Sequence, residues 1–221
     1  MATMCRETKK KRINRHKLAV IQAYTIIGIF VTIGGVTGIL IGRATAPTDT
    51  VIETKTVAVE VPVLADSLPE VGEVTYFDVP LSHSLQRYIY EVCADEDVPV
   101  ALVMAMIDHE SKFDPEAVSS TGDYGLMQIN EINHETLAEK YRTGDMLNPY
   151  QNVFCGIKMI GSYLETYGDC GKALMAYNMG NYGAKKAWEN GITSTSYSET
   201  IIKLMSEYEQ EVEDNARSAD S

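Results

Sequence analysis

Glu110 is the residue with the clearest chemical potential in this 221-residue chain. It follows Val100, Val103, Met106 and Ile107 at steps of three and four, so a helix through these residues would carry the carboxylate on its apolar face. Such a carboxylate has two readings. It can interrupt a buried stripe at the domain surface, or it can be a general acid whose proton is held by desolvation. Spacing alone leaves both open. Competing chemistries lack their residues: His109-Glu110 would need a histidine where Phe113 stands, and His134-Glu135 one where Ala138 stands, so neither makes H-E-x-x-H. A glycine-rich phosphate loop, a G-x-S-x-G elbow and a C-x-x-C pair are also missing from the sequence. Neither a metal nor another cofactor is expected.

The elements that must position Glu110 read as helices. Leu85, Tyr88, Ile89 and Val92 share one face after a capping serine, Ser82 or Ser84. Pro99 suits the first turn of the helix that ends in Glu110. Residues 112–123, with Asp114-Pro115, Ser119, Ser120 and Gly122, read as a loop. Further helices are expected over 134–141, 149–167 (capped by Asn148, with Pro149 first), 171–178, 181–189 and 196–209. The expected fold is mainly α, in one domain over 81–205. An acidic tail, read as a fraying helix and tail, follows at 206–221.

What precedes that domain is not globular in composition. Residues 1–17 hold seven bases against the single acid Glu7, whereas the rest of the chain has 12 bases against 30 acids, a net of −18. A surface so acidic repels phosphate, which argues against a nucleic-acid partner. Between them, Leu18 to Gly42 contains no Asp, Glu, Lys, Arg or His. As a helix it would be about 37 Å long, enough to cross a bilayer core of ~30 Å with tilt. A single-pass transmembrane helix is expected, with the basic 1–17 segment cytoplasmic and the remainder outside. Cleavage after Ala44-Thr45-Ala46 is the alternative, although the apolar stretch exceeds a usual signal peptide and Pro47 would follow the cut. Residues 43–80 carry four of the seven prolines and read as an extended stalk or linker. Outside the membrane three cysteines remain, Cys93, Cys155 and Cys170, allowing one bridge from Cys93 or three unbridged thiols. Oligomeric state is left open.

Several motifs occur in order: His109-Glu110-Ser111, Ser119, Gly125-Leu126-Met127-Gln128-Ile129-Asn130, Ala176-Tyr177-Asn178-Met179-Gly180 and Tyr197. Together these resemble the catalytic domain of the soluble lytic transglycosylases, a lysozyme-like fold related to goose-type lysozyme. The resemblance covers about 82–205. It implies a peptidoglycan glycan strand as substrate and cleavage of the bond from N-acetylmuramic acid to N-acetylglucosamine, with Glu110 as sole acid and base. It also implies substrate contacts from Ser119, Met127, Gln128, Tyr177, Asn178 and Tyr197. Each has a plainer alternative: a turn serine at 119, a core methionine at 127, packing tyrosines at 177 and 197. The form TGDYGLMQIN is similar to variants attached to secretion and conjugation machinery. Ser111 is expected to be structural.

Asp123 departs from the commonest pattern, which has a small residue there, and a second carboxylate would permit lysozyme-type hydrolysis. Asn130 opposes that reading, since goose-type lysozyme has an acid at its position. A non-catalytic wall-binding assembly subunit that keeps the cleft is the remaining alternative.

Overall fold

The structure, a computed structural model, describes residues 68–219. The basic segment 1–17, the apolar stretch 18–42 and the stalk as far as Ser67 lie outside the described residues. Six α-helices are described: α1 (His83–Glu96), α2 (Val100–Ser111), α3 (His134–Tyr141), α4 (Pro149–Tyr167), α5 (Cys170–Glu189) and α6 (Ser196–Ala219). Between α2 and α3 lie two two-residue strands, β1 (Asp123–Tyr124) and β2 (Ile129–Asn130), and a short 3-10 turn, Glu131–Asn133. The strands pair antiparallel, Asp123 opposite Asn130 and Tyr124 opposite Ile129.

Local chemistry sets the helix ends. Ser82 caps α1 by accepting from the Leu85 amide at 3.2 Å. Asn148 caps α4 by accepting from the amides of Tyr150 and Gln151, with Pro149 in the first turn where its missing N–H is harmless. Asp169 caps α5 through the Lys172 amide at 2.8 Å. Gly180, at φ 70° and ψ 165°, breaks α5 into the two pieces that the sequence predicts separately.

α2 is the centre of the domain. Leu102 through Ile107 are all wholly buried, so the helix is enclosed on every side rather than along one face. α6 packs along it, while α4 lies between α1 and α5. Lys158 of α4 fastens to Asp95 at 2.8 Å and Glu96 at 2.5 Å on α1. Cys93 and Cys155 are buried and neither they nor Cys170 form a disulfide, so of the two thiol states expected the unbridged one is present.

Two boundaries differ from expectation. Residues 68–80 are not a free stalk. Gln86 clamps that segment by accepting from the Phe77 amide at 2.9 Å and donating to the carbonyls of Phe77 and Leu81, both 3.2 Å away. Tyr90 donates to the Thr75 carbonyl at 2.6 Å, and Arg87 to that of Val71 at 3.1 Å. Phe77 enters the core. At the other end α6 continues to Ala219 where an acidic tail is expected. Tyr208 and Val212 pack on the core, and Arg217 pairs with Glu213 and Asp214 one turn away, so the acids are spaced to support a helix rather than to repel it open. The two flanks meet: the Phe77 and Tyr208 rings pack edge to face at 5.5 Å, and the Asp78 amide donates to Glu211 at 3.2 Å. No helix of the described residues is long and apolar enough to cross a membrane.

Candidate active site

The enclosed helix α2 delivers Glu110 to its C-terminal end, one residue before the helix stops. There the carboxylate accepts a hydrogen bond of 2.5 Å from the Tyr197 hydroxyl, which stands in the first turn of α6. The pair is separated by 87 residues in the chain and joined only by the packing of α2 on α6. Burial pushes the Glu110 carboxyl up from an ordinary 4.5 to about 7; the Tyr197 donor opposes this, and the negative charge of Asp123 adds to it. Burial thus favours the protonated form of Glu110 toward neutral pH, the state a general acid must hold.

Opposite stands the hairpin 117–130, whose shape depends on two close approaches. Gly125, at φ 71°, lies so near α4 that a Cβ there would sit 2.4 Å from the Met146 carbonyl oxygen and 2.5 Å from the Asn152 amide nitrogen. Gly156 on α4 admits Met127, whose sulfur would be 2.3 Å from a Cβ at that position. The wholly buried Asn152 then accepts from the Met127 amide at 2.8 Å and donates to the carbonyls of Tyr124 at 2.7 Å and Met146 at 2.9 Å. Every polar atom of that side chain is spent on loop backbone. Ser111 adds a tie from α2, donating to the Leu126 carbonyl at 2.9 Å, in keeping with its expected structural part.

Met127 is consequently not a cleft-floor side chain. It is wholly buried against Gly156, and only its backbone carbonyl meets the site, accepting from the Tyr177 hydroxyl at 2.8 Å. The expectation of a Met127 side-chain contact with substrate is corrected by that burial. Gln128 sits in the left-handed region at φ 44°, and its amide nitrogen donates to the carbonyls of Gly125 at 2.9 Å and Ala117 at 3.2 Å. Both amide hydrogens are engaged, which leaves the Gln128 side-chain oxygen as the group with capacity for a ligand. Tyr177 lies close enough to Glu110 for the carboxylate charge to raise its phenol further, after burial has raised it most. Asn178, the next residue on α5, is exposed.

Asp123 occupies a different environment. Ser119 and Thr121 each donate a hydroxyl to its Oδ2 at 2.6 Å, and Asn130 donates its amide to Oδ1 at 2.8 Å. Burial alone would raise this carboxyl, but the three donors outweigh it and hold the group below the usual carboxylate range. Ser119 also accepts from the backbone amides of Thr121 and Asp123. Ser119 is thus the pivot of a turn, and Asp123 the brace that closes the hairpin.

Sequence reasoning did not single out Asn152, Gly156 or Thr121. Asn152 and Gly156 are four apart on α4, and a small and a polar residue on one face of an otherwise apolar helix is the signal that marks them.

The chain is similar to known proteins in sequence and in fold. The family model "Transglycosylase SLT domain" matches residues 87–200, just over half of the chain. Protein IpgF of Shigella flexneri is 32% identical over 96 residues, 41% of this chain and 63% of IpgF. Membrane-bound lytic murein transglycosylase F 2 of Alkalilimnicola ehrlichii is 31% identical over 80 residues, 36% of this chain and 17% of that protein. The chain thus spans under two thirds of the length of these relatives. Among solved structures, an inactive mutant of the lytic transglycosylase Slt of Pseudomonas aeruginosa superposes with a TM-score of 0.52 at 18% identity, covering 61% of this chain and 25% of that one. That likeness shows the mainly helical, lysozyme-like fold. Since the family match runs from within α1 to the first turns of α6 and takes in both Glu110 and Tyr197, the chain belongs to the Transglycosylase SLT domain family.

Proposed function

We propose that the protein is a membrane-anchored lytic transglycosylase that cuts peptidoglycan glycan strands at the bond from N-acetylmuramic acid to N-acetylglucosamine. The observation that carries this reading is Glu110, buried at the end of α2 and held by the Tyr197 hydroxyl, in a chain of this family. Glu110 gives its proton to the leaving oxygen as the glycosidic bond breaks. It then accepts the proton of the muramoyl C6 hydroxyl, whose oxygen bonds to C1 and closes a 1,6-anhydro ring. Proton and bond counts balance within the substrate, so water and a second carboxylate are unnecessary. Proximity of the sugar's own hydroxyl replaces the water that an ordinary glycosidase must activate.

Asp123 supports this single-acid reading by its occupation, since both its oxygens already accept donors that build the hairpin. Substrate contacts fall to the Gln128 side-chain oxygen, Asn178 and the hydroxyl-bearing faces of Tyr177 and Tyr197. Anchorage rests on the uncharged stretch Leu18 to Gly42 and on the likeness to a membrane-bound lytic murein transglycosylase. The basic 1–17 segment supports a catalytic domain outside the cytoplasm. Service to a secretion or conjugation machine rests on the TGDYGLMQIN form alone.

The test is digestion of purified peptidoglycan by the detergent-solubilised protein, with mass analysis of the products. Muropeptides with 1,6-anhydro ends, lost in Glu110→Gln, are expected. Reducing ends would replace this reading with hydrolysis, and an undiminished biological role for Glu110→Gln would replace it with a wall-binding subunit.

A further inference from the structure

Tyr197 must present its hydroxyl to Glu110 with little angular freedom, yet nothing in the bond itself fixes the ring. Two features touch that problem. Locally, the turn that starts α6 is held by Ser198, wholly buried, whose hydroxyl accepts from the Thr195 amide at 3.0 Å. This sets the backbone of α6. Across the seam, the imidazole of His109 meets the Tyr197 ring edge to face, with centroids 5.1 Å apart and planes at 87°.

His109 and Glu110 are consecutive on α2, so their side chains leave the helix about 100° apart. One can therefore press on the flank of the phenol ring while the other receives its hydroxyl. Rotation of Tyr197 about its Cα–Cβ bond, which would swing the hydroxyl away from Glu110, would have to break the ring contact. Edge-to-face pairs attract beyond their burial, enough to restrict one torsion.

We propose that His109 is a positioning residue for the reaction, holding the Tyr197 ring so that its hydroxyl stays on Glu110. It touches no substrate atom and acts through Tyr197. The ring faces Tyr197 in its neutral form, because burial and then the Lys112 charge lower its affinity for protons against the opposing pull of Asp108. This inference rests on Glu110 being the catalytic acid.

The test is a double-mutant cycle in the full chain with two readouts. The first is the midpoint at which the Glu110 carboxyl titrates, followed by carbon NMR on selectively labelled glutamate with no substrate present. The second is kcat and KM on glycan strands. His109→Ala is expected to move the Glu110 midpoint and to lower kcat by about three- to tenfold at unchanged KM, the size of one aromatic contact. His109→Phe, which keeps an edge-to-face ring, restores both values. In a Tyr197→Phe background, His109→Ala changes neither. His109→Leu, similar in bulk but without a ring, serves if the alanine variant fails to fold. Equal effects with and without the Tyr197 hydroxyl, or an unmoved Glu110 midpoint, would overturn the proposal. Should wild-type protein release no anhydro-muropeptides, the functional reading fails, while the titration cycle still decides the claim about His109.

Discussion

Glu110 and Asp123 are two carboxylates of one site, near enough for the charge of one to act on the other, and their surroundings move them in opposite directions. Glu110 ends a helix in which Leu102 through Ile107 are wholly buried, and among the described residues a single hydroxyl is its hydrogen-bond partner. Asp123 sits in a turn between a serine, a threonine and an asparagine, and collects three donors. Burial disfavours the charged form at both. Only at Asp123 do enough donors answer it. The lesson is that depth and donor count together separate an acid from a brace, Glu110 being the more deeply buried with fewer donors and Asp123 the shallower with three. Two carboxylates in one cleft need not form a catalytic pair.

The largest expected effect that tests this contrast is on rate. Glu110→Gln should lower kcat by about 10²–10⁴-fold, the span typical of losing general acid and base together, measured by muropeptide release. Asp123→Asn should keep measurable turnover of the same product, because the amide oxygen can still accept in the turn. A loss as deep as that of Glu110→Gln would make Asp123 a catalytic partner. Next in size is Tyr197→Phe, expected to cost about tenfold or more in kcat, as for a hydrogen bond to a charged group. Without that donor the Glu110 midpoint should rise above about 7, taking the alkaline limb of the kcat/KM profile with it.

Stability should show the same opposition. The raised carboxyl of Glu110 favours the folded state below about pH 4.5 and weakens it progressively as pH climbs through about 7. Glu110→Gln should therefore stabilise the protein at pH 8 by up to about 3 kcal/mol and by almost nothing at pH 4, as read by urea unfolding. Asp123, held below its usual range, contributes stability that is present at neutral pH and lost on acidification through its lowered value. Asp123→Ala should cost about 1–3 kcal/mol at neutral pH by stranding hairpin donors, with the cost shrinking in acid. Gly125→Ala probes the frame beneath both, and should cost about 2 kcal/mol or more, because its Cβ would overlap the Met146 carbonyl and strain a positive φ.

Much of this arrangement is legible in the chain. Proline and asparagine at 99, 148 and 149 mark helix starts, and the order of the motifs singles out Glu110 and Tyr197 across 87 residues. Other features depend on contacts between distant residues, which local pattern does not record. Residues 68–80 carry Pro69 and Pro80 and form neither helix nor strand, as the composition of a linker suggests. What docks them is Gln86, Arg87 and Tyr90 on α1, whose hydrogen bonds to that backbone leave no trace in either stretch read alone. The acids after Glu207 look like a tail until the spacing of Tyr208, Val212 and Arg217 is set on a helix. Met127 shows a third kind of loss. Its motif position is meaningful, but the meaning belongs to its backbone, with the side chain committed to the space that Gly156 leaves.

The central claim is that Glu110 works without a second carboxylate and without water. Digesting peptidoglycan in water enriched in heavy oxygen tests it most directly. Muropeptides released by the wild-type protein should carry anhydro ends and no heavy oxygen, because the C6 oxygen of the sugar is the nucleophile. Heavy oxygen at C1 of the released ends would contradict the account and restore Asp123 as the group that positions water.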